Sequence, residues 1–402
     1  MVQTLYRFGV DPSNPSTKAH SPTPICTASR ITVLWSSWCD LIYSTVSNIN
    51  DSSTTSIHYS GTSLTPTQRT EFTDPTSTIS KALSNPQCHP SFFGSAMHDG
   101  VRGYICGEQI TIFGTPAEEL ELGDEYQEIS TWALPTPLAE VKVRSDGSVI
   151  LALTASSNGT GSVVSLPNIQ ALKDYCSKAA DVDPKILAAF APTQLLTNAI
   201  TSTALSPDGQ VYTHTTDPRY PSTLGRSPTN TLVFEPIPYF SELTIAKIAS
   251  GGYTTAAVSS EGELFLWGQA NPGTEGELGV LHKLHYDQKL GSHNAVIWSD
   301  TEQDEYVKCL NTYIKGTEAA VEDVATGHGH MLVAARDGIS ERVVFAAGSG
   351  SEGQLGGGKA VDFVSEFEEV VALRGKRVTQ MVAEGWSSFV VAEENANYSV
   401  GS

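Results

Sequence analysis

One pattern occurs twice in the second half of this chain, as IAKIASGGYTTAAVSSEGELFLWGQANPGTEGELG (245–279) and as VEDVATGHGHMLVAARDGISERVVFAAGSGSEGQLG (321–356). Each copy has an apolar strand, a small-residue turn with glycine, a second strand, an acidic-glycine turn, a third strand and a loop ending in Gly-x-Leu-Gly. A third copy begins with VTQMVAEGWSSFVVAEE (378–394). Apolar runs of strand length separated by such turns predict antiparallel hairpins, and their recurrence predicts a repeat architecture.

Fainter copies of the hairpin lie upstream, in AEVKVRSDGSVILAL (139–153) and AITSTALSPDGQVYTH (199–214). An acidic residue followed by glycine forms the turn at 146–147, 208–209, 261–262 and 337–338. Asp-Gly between apolar runs is a strong hairpin signal, because both central residues of a type I′ turn need a positive φ. We therefore expect the same hairpin, and one repeat unit, in each interval.

The two ends of the chain complement each other. The last unit lacks its final strand, and TLYRFG (4–9) resembles ELFLWG (263–268), the third strand of an earlier unit. Two weaker units, at 31–61 and 103–114, complete a count of seven. The prediction is an all-β single domain over 1–402, a seven-bladed β-propeller of antiparallel four-stranded blades. Pairing of the N-terminal strand with the last blade is expected to close the ring and remove its free edges.

Three stretches depart from the repeat. An acidic loop at 115–130 and a long insertion at 281–316 are expected as loops added to the ring. LPNIQALKDYCSKAA (166–180) has apolar residues at helical spacing and predicts a short helix.

The glycine-rich stretch GSGSEGQLGGG (348–358) fits G-x-G-x-x-G, the pattern of loops that cradle a dinucleotide pyrophosphate. A dinucleotide site also needs a helix after the glycines, and QLGGGKAVDF (354–363) is poor helix sequence. GQANPGTEGELG (268–279) occupies the same place in the preceding unit. We therefore interpret this loop as part of the repeat and expect no cofactor.

Composition limits the classes of function. The formal net charge is −20, and a protein this acidic repels the phosphate backbone, so direct nucleic-acid binding is not expected. The six cysteines lie far apart without zinc-ligand spacing, which predicts reduced thiols of a cytoplasmic or nuclear protein. MVQTLYRFGV (1–10) shows no signal-peptide pattern, and no apolar run has membrane-spanning length, so no membrane association is expected.

The repeat resembles that of the regulator of chromosome condensation family, in IASGGYTTAAVSSEGELFLWGQANPGTEGELG (248–279) and in the two later copies. This resemblance implies a seven-bladed β-propeller. The founding member is a nucleotide-exchange factor for the small GTPase Ran and binds chromatin. Other members are scaffolds. One partners a Jumonji-type demethylase, and the alpha-tubulin suppressor type serves tRNA-modification and diphthamide pathways. The present sequence differs from the founding member in having no basic tail.

Several side chains are candidates for a site. His328 and His330 flank Gly329 and could ligate a metal, but Tyr253 and Thr254 occupy the same place one unit earlier, so packing between blades is the preferred interpretation and no metal is expected. Trp267 ends a strand and is expected in the core.

The turn between the first two strands of a unit lies on a propeller face. We expect partner-binding residues there, namely Trp386, Tyr253, His328 and His330. The acidic run is interpreted as a solvated loop that could also take a basic partner, through Glu118, Glu119 and Glu121.

The predicted function is a non-catalytic scaffold or regulatory subunit, monomeric by itself, that binds a protein through loops on one face. The partner could be a small GTPase or a chromatin- or tRNA-modifying enzyme. The alternatives are an exchange factor for a Ran-like GTPase and an accessory protein of tRNA-modification or diphthamide pathways. The sequence contains no G-x-S-x-G, H-E-x-x-H or Walker motif, so no catalytic residues are expected.

Overall fold

Antiparallel strands account for most of the structure, which is a computed structural model. It describes residues 2–49, 52–83, 90–95, 100–115, 128–154, 161–178, 182–272, 276, 278, 281, 297–298, 306–338 and 341–393.

Twenty-eight strands form in the described part of the chain, and we group them into units numbered along the sequence. The first two are β1 (Gln3–Asp11) and β2 (Asn14–Ala28). Unit 1 contains β3 (Arg30–Ser36), β4 (Asp40–Ile49) and β5 (Ser52–Gly61). Unit 2 contains β6 (Ser91–Ser95), β7 (Gly100–Cys106), β8 (Gln109–Phe113) and β9 (Ile129–Ala133). Unit 3 contains β10 (Leu138–Val143), β11 (Val149–Leu153), β12 (Ser162–Leu166) and β13 (Lys185–Ala188).

The later units are built in the same way. Unit 4 contains β14 (Gln194–Thr197), β15 (Thr201–Leu205), β16 (Val211–Thr215) and β17 (Glu235–Pro236). Unit 5 contains β18 (Ile245–Gly251), β19 (Thr254–Ser259), β20 (Leu264–Gly268), β21 (Ile297–Trp298) and β22 (Lys308–Ile314). Unit 6 contains β23 (Thr317–Thr326), β24 (His330–Asp337), β25 (Arg342–Ser349) and β26 (Phe363–Glu369). Unit 7 contains β27 (Arg377–Glu384) and β28 (Ser387–Glu393), together with β1 and β2.

Helices are few and short. They are α1 (Pro66–Arg69), α2 (Thr78–Leu83), α3 (Ile169–Ser177) and the 3₁₀ turns Thr70–Phe72, Pro221–Leu224, Pro238–Phe240 and Val371–Leu373. The helix predicted at 166–180 is confirmed as α3. Asn168 caps it, since its side chain accepts the N–H of Ala171 at 2.8 Å. Leu172 and Cys176 bury its apolar face.

The chain ends meet in one sheet, whose strand order is β2-β1-β28-β27. β1 runs antiparallel to β28, with Leu5 opposite Val391 and Phe8 opposite Ser388. The predicted pairing of TLYRFG with the last unit is therefore confirmed as a strand pairing. The N-terminal segment supplies two strands, because β2 pairs with the outer side of β1.

Two predictions, the hairpin assigned to the turn at 146–147 and the loop at 281–316, are wrong. The turn at 146–147 joins β10 to β11, the first and second strands of unit 3, whereas the other three acidic-glycine turns join second and third strands. Asp-Gly encodes a tight turn but does not specify which hairpin of a unit it closes. The stretch 281–316 is also more than a loop, because β22 pairs with both β20 and β23 and so joins units 5 and 6 in one nine-stranded sheet.

A hydrophobic layer separates each unit from the next. The layer between units 2 and 3, for example, contains Ile105 and Ile112 facing Val141 and Leu151. Units 7 and 1 share a layer as well, built from Leu5, Ile31, Val33, Leu41, Phe389 and Val391. Each sheet therefore buries both faces against its neighbours, which one unit could not do alone. Trp267, predicted as core, is fully buried.

The first strands of neighbouring units are also joined by hydrogen bonds. In four units a polar side chain on the first strand accepts a backbone N–H of the next unit's first strand: Glu140 from Leu195 (3.1 Å), Gln194 from Ile248 (3.0 Å), Asp323 from Met381 (2.8 Å) and Gln380 from Val33 (2.8 Å). In unit 5 the equivalent residue is Lys247, whose ammonium group can donate hydrogen bonds but cannot accept the backbone N–H of the next unit. Its ammonium pairs with Asp323 of unit 6 instead.

The glycine-rich loop at 348–358 uses its amides within the protein. Gly350 donates to the carbonyl of Asp362 (3.1 Å), Gly353 to that of Gly350 (3.0 Å), and Gly358 to that of His20 on β2 (2.8 Å). These N–H groups are committed to carbonyl oxygens, so they do not form a phosphate cradle. The interpretation of this loop as a structural part of the repeat is supported.

Cysteine chemistry departs from the expectation in one place. Cys26, Cys39, Cys176 and Cys309 are in the thiol form. Cys106 is disulfide-bonded, and its partner lies outside the described residues. The expectation that all six cysteines are reduced is therefore wrong at Cys106, which the wide sequence spacing did not reveal. No helix in the described part of the chain is both long enough and apolar enough to cross a bilayer.

Candidate protein-binding face

The turns between first and second strands gather at one end of the units. Successive turns are linked directly, since the N–H of Ala199 donates to Gly252 (3.0 Å) and the N–H of His328 donates to Gly385 (3.0 Å). The hydroxyl of Ser145 donates to the carbonyl of Ala199. We call this end the turn face. Side chains from different units meet there, because these described turns contact their neighbours.

An aromatic cluster lies on the turn face where units 6, 7 and 1 meet. The rings of Trp38 and Trp386 are 4.6 Å apart between centroids, and those of Trp38 and His328 are 5.2 Å apart in an edge arrangement. Trp386 is 40% exposed, which is unusual for so large an apolar side chain, whereas Trp38 and His328 are half-buried. We call these three residues the aromatic cluster.

Gly385 makes this arrangement possible. Its φ is +54°, a left-handed conformation that favours glycine, and a Cβ at this position would lie 2.5 Å from Cδ1 of Trp38. The Trp38 ring therefore lies directly on the backbone of the neighbouring unit's turn. A side chain at 385 would push the indole away.

The two histidines of the cluster region have different environments. His330 is 3% exposed, and its Nε2 is 2.9 Å from the hydroxyl of Ser388 in unit 7. His330 thus packs between units 6 and 7, in agreement with the preferred interpretation, and its role in partner binding stays a prediction. Burial lowers the pKa of His328, and burial together with His328 lowers the pKa of His330 to about 3, so both imidazoles are neutral at pH 7.

Tyr253 lies farther along the turn face, in unit 5. Its ring packs edge-on against Tyr220 with centroids 5.3 Å apart. The guanidinium of Arg219 lies 5.6 Å from the centre of the Tyr220 ring and pairs with Asp217 at 2.6 Å. Tyr253 is half-buried, so it presents part of its ring to solvent beside this ion pair.

A cavity of about 370 Å³ opens between Tyr253's unit and the aromatic cluster. Leu278, Met331 and Phe363 contribute apolar walls, and Trp386 stands at one side. Asp362 is exposed at its rim. The cavity continues the turn face, so the face offers a recess as well as a flat aromatic patch.

A second, smaller cavity of about 170 Å³ lies along the first strands of the units. Lys142 and Glu384 line it. Burial raises the pKa of Glu384 to about 8, and the charge of Lys142 opposes this change. Among the described residues no cluster of three metal-binding side chains occurs in either place.

The structure thus brings together Trp386 and His328 and places Tyr253 on the same face. Glu118, Glu119 and Glu121 lie outside the described residues. Sequence reasoning missed Trp38, although SSWCD (36–40) occupies the same place in its unit as EGWSS (384–388) in the last one. The shared position of the two tryptophans could have identified Trp38 as a face residue, but the repeat in unit 1 is too degenerate for the correspondence to stand out.

No family model matches the chain. Among curated proteins, the probable E3 ubiquitin-protein ligase HERC6 of Homo sapiens is 27% identical over 168 residues, which are 42% of this chain and 14% of the relative. The chain thus matches only a small part of that protein's length.

Solved structures extend the likeness to nearly the whole chain. Prp20p of Saccharomyces cerevisiae, described with its binding to Gsp1p and histones, superposes with a TM-score of 0.57 at 11% identity, over 98% of this chain and 92% of Prp20p. Human WBSCR16 gives a TM-score of 0.56 at 14% identity, over 98% and 99% of the two chains. A further structure contains yeast RCC1, which is Prp20, bound to Kap60 and has a TM-score of 0.52. Together with the antiparallel units and their layered packing, these comparisons show that the chain has the RCC1-like β-propeller fold.

Proposed function

We propose that this chain is a non-catalytic scaffold or regulatory subunit, a closed ring of seven blades that binds a protein partner through its turn face. The seven units would be the blades, with β1 and β2 completing the last one. Support for closure comes from the hydrophobic layer between units 7 and 1 and from the bond between Gln380 and Val33.

The exposed aromatic cluster is the observation that carries the binding function. Trp386 contributes a large apolar surface at the meeting point of three units, and Trp38 holds it from one side. Tryptophan is enriched among the residues that dominate protein–protein binding energy, because it buries a large area with few rotatable bonds. The turn that carries Trp386 is tied to its neighbour by a backbone hydrogen bond from the His328 N–H to the Gly385 carbonyl (3.0 Å), so the cluster is presented on an ordered support.

Affinity purification of the tagged protein from its native cells, read by mass spectrometry, tests this proposal. We expect one near-stoichiometric partner with the wild type and its loss with Trp386→Ala. Val371→Ala is the matched control, because Val371 is 63% exposed and lies in the connection from the last strand of unit 6 to the first strand of unit 7, at the opposite end of the units from the turn face. Equal recovery of the partner with both variants would contradict the proposed face.

The exchange-factor alternative follows from the likeness to Prp20p, which is described with its binding to Gsp1p. An exchange factor needs no cofactor or catalytic triad of its own, so it fits the same fold. Release of labelled GDP from a Ran-type GTPase separates the two proposals. Acceleration by sub-stoichiometric amounts of this chain would replace the scaffold proposal with the exchange factor, and release at the uncatalysed rate would leave the scaffold.

A further inference from the structure

We propose that the cavity beside Trp386 holds one aromatic side chain of a partner peptide, and that Asp362 at the cavity rim pairs with a basic residue of the same peptide. This inference rests on the proposed protein-binding function and names the chemistry of the bound segment.

The size and the walls of the cavity indicate a single large side chain. Its volume of about 370 Å³ lies at the lower end of the range for ligand sites, which is too small for a helix or a dinucleotide. Leu278 and Met331 are 7% and 1% exposed and form part of an apolar lining. Phe363 and Trp386 add aromatic rings at the sides. A guest ring can meet these rings edge to face, which favours an aromatic over an aliphatic guest.

One of the lining residues also has a buried polar atom that is not hydrogen-bonded within the described residues. His328 lines the cavity, and its Nδ1 is buried with no hydrogen-bond partner in the described part of the chain. The imidazole is neutral, because burial lowers its pKa. A peptide group or a hydroxyl of the guest that reaches this nitrogen would satisfy it, and an unsatisfied buried polar group is unfavourable.

The charge at the cavity rim indicates that the residue beside the peptide's aromatic side chain is basic. Of the described residues that line the cavity, Asp362 alone carries a formal charge at neutral pH, because both lining histidines are neutral. Its side chain is exposed and makes no ion pair within the described residues. The whole chain has a net charge of −20, which attracts basic segments and repels acidic ones.

Selection from a displayed library of random short peptides tests the proposal on the purified full chain. We expect the selected sequences to share an aromatic residue with Lys or Arg within two positions. Synthetic copies of these peptides are then measured by fluorescence polarisation against wild type and variants. Selection of acidic peptides, of peptides without an aromatic residue, or of none at all would overturn the proposal.

Two surface variants place the selected peptides in the cavity. Ser351 lines the cavity and is exposed, so Ser351→Trp fills the mouth without disturbing the core, and we expect at least about tenfold weaker binding. Asp362→Lys should weaken binding by about three- to tenfold. Glu261→Lys is the control, since it makes the same charge change at an exposed turn between second and third strands, away from the turn face.

Equal affinity for wild type, Ser351→Trp and Asp362→Lys would overturn the assignment of the peptides to this cavity. The proposed function would survive that result if Trp386→Ala still removed the cellular partner. The two proposals therefore fail independently.

Discussion

Gln380 and Val33 are 347 positions apart in sequence and share two hydrogen bonds across the boundary between units 7 and 1. The Val33 N–H donates to Oε1 of Gln380 at 2.8 Å, and Nε2 of Gln380 donates to the Val33 carbonyl at 2.9 Å. One side chain thus satisfies both the N–H and the C=O of Val33, a residue on the first strand of the neighbouring unit. Glu140, Gln194 and Asp323 satisfy one N–H each at other boundaries.

Replacing this glutamine tests whether the boundary between units 7 and 1 supports the whole ring. Gln380→Ala should lower the free energy of unfolding by about 2–4 kcal/mol, because it leaves a half-buried N–H and C=O without partners. Thermal and urea melts measure the change. Gln170→Ala, which removes only a bond to Asp174 on the surface of α3, should change stability by less than about 0.5 kcal/mol. A similar small change for both variants would contradict the importance of this bond.

The N-terminal strand is expected to be an integral part of the fold. Phe8 is fully buried in the layer between units 6 and 7. Phe8→Ala should therefore destabilise the protein by about 3–5 kcal/mol. Val2, which is 56% exposed, provides the control, and Val2→Ala should be nearly neutral. If Phe8→Ala and the wild type have the same melting temperature, β1 does not contribute to the stability of the last unit.

Gly385 should be required for the aromatic cluster. Ala at 385 must adopt a φ of +54° and place its Cβ 2.5 Å from the Trp38 ring, so we expect displacement of that indole, a change in tryptophan fluorescence and loss of partner binding. Gly375→Ala is the matched control, because Gly375 has a φ of +73° and open space around its Cβ position. Both variants should lose about 1–2 kcal/mol from the backbone, and only Gly385→Ala should change fluorescence and binding. Unchanged fluorescence in Gly385→Ala would show that Trp38 does not rest on this turn.

Two buried histidines should make the protein sensitive to acid. Burial, with a smaller effect of Arg144, lowers the pKa of His214 to about 3, and burial lowers that of His330 to about 3. Unfolded histidine has a pKa of about 6.5, so below that pH the unfolded state binds more protons than the folded state. The free energy of unfolding should then fall as the pH drops from about 6.5 toward 3, by at most about 1.4 kcal/mol per pH unit for each histidine.

The measurement for this prediction is the pH dependence of urea unfolding between neutral pH and the onset of acid unfolding. The double variant His214→Gln, His330→Gln should be less stable than the wild type at neutral pH and should lose stability more slowly as the pH falls. If the free energy of unfolding falls with pH equally steeply in the wild type and in the double variant, other groups cause the acid sensitivity.

Much of the fold was predictable from local patterns. The strands around 245–268 and 321–349, the helix near 169 and the pairing of TLYRFG with the last unit all follow from apolar spacing and turn residues. The strand β22 was missed because its sequence lies in a long mixed segment without the repeat pattern. The turn at 146–147 was assigned to the wrong hairpin, since Asp-Gly chemistry is the same in any tight hairpin.

The candidate site was predictable only in part. The recurrence of the first turn in several units predicts Trp386, His328 and Tyr253 as face residues. Trp38 joins them through contacts between residues about 290 to 350 positions away, which no local pattern reports. The burial of His330 likewise depends on Ser388 of the next unit.

The antiparallel units, their glycine-marked turns and the acidic net charge follow from the sequence, because strand periodicity, turn chemistry and charge are local properties of the chain. Which turns touch, which tryptophans form one cluster and where a cavity opens between units depend on tertiary packing. Those features arise where sheets from distant parts of the chain pack face to face. The partners of a side chain at such a boundary are set by the order and stacking of the units and not by its neighbours in sequence.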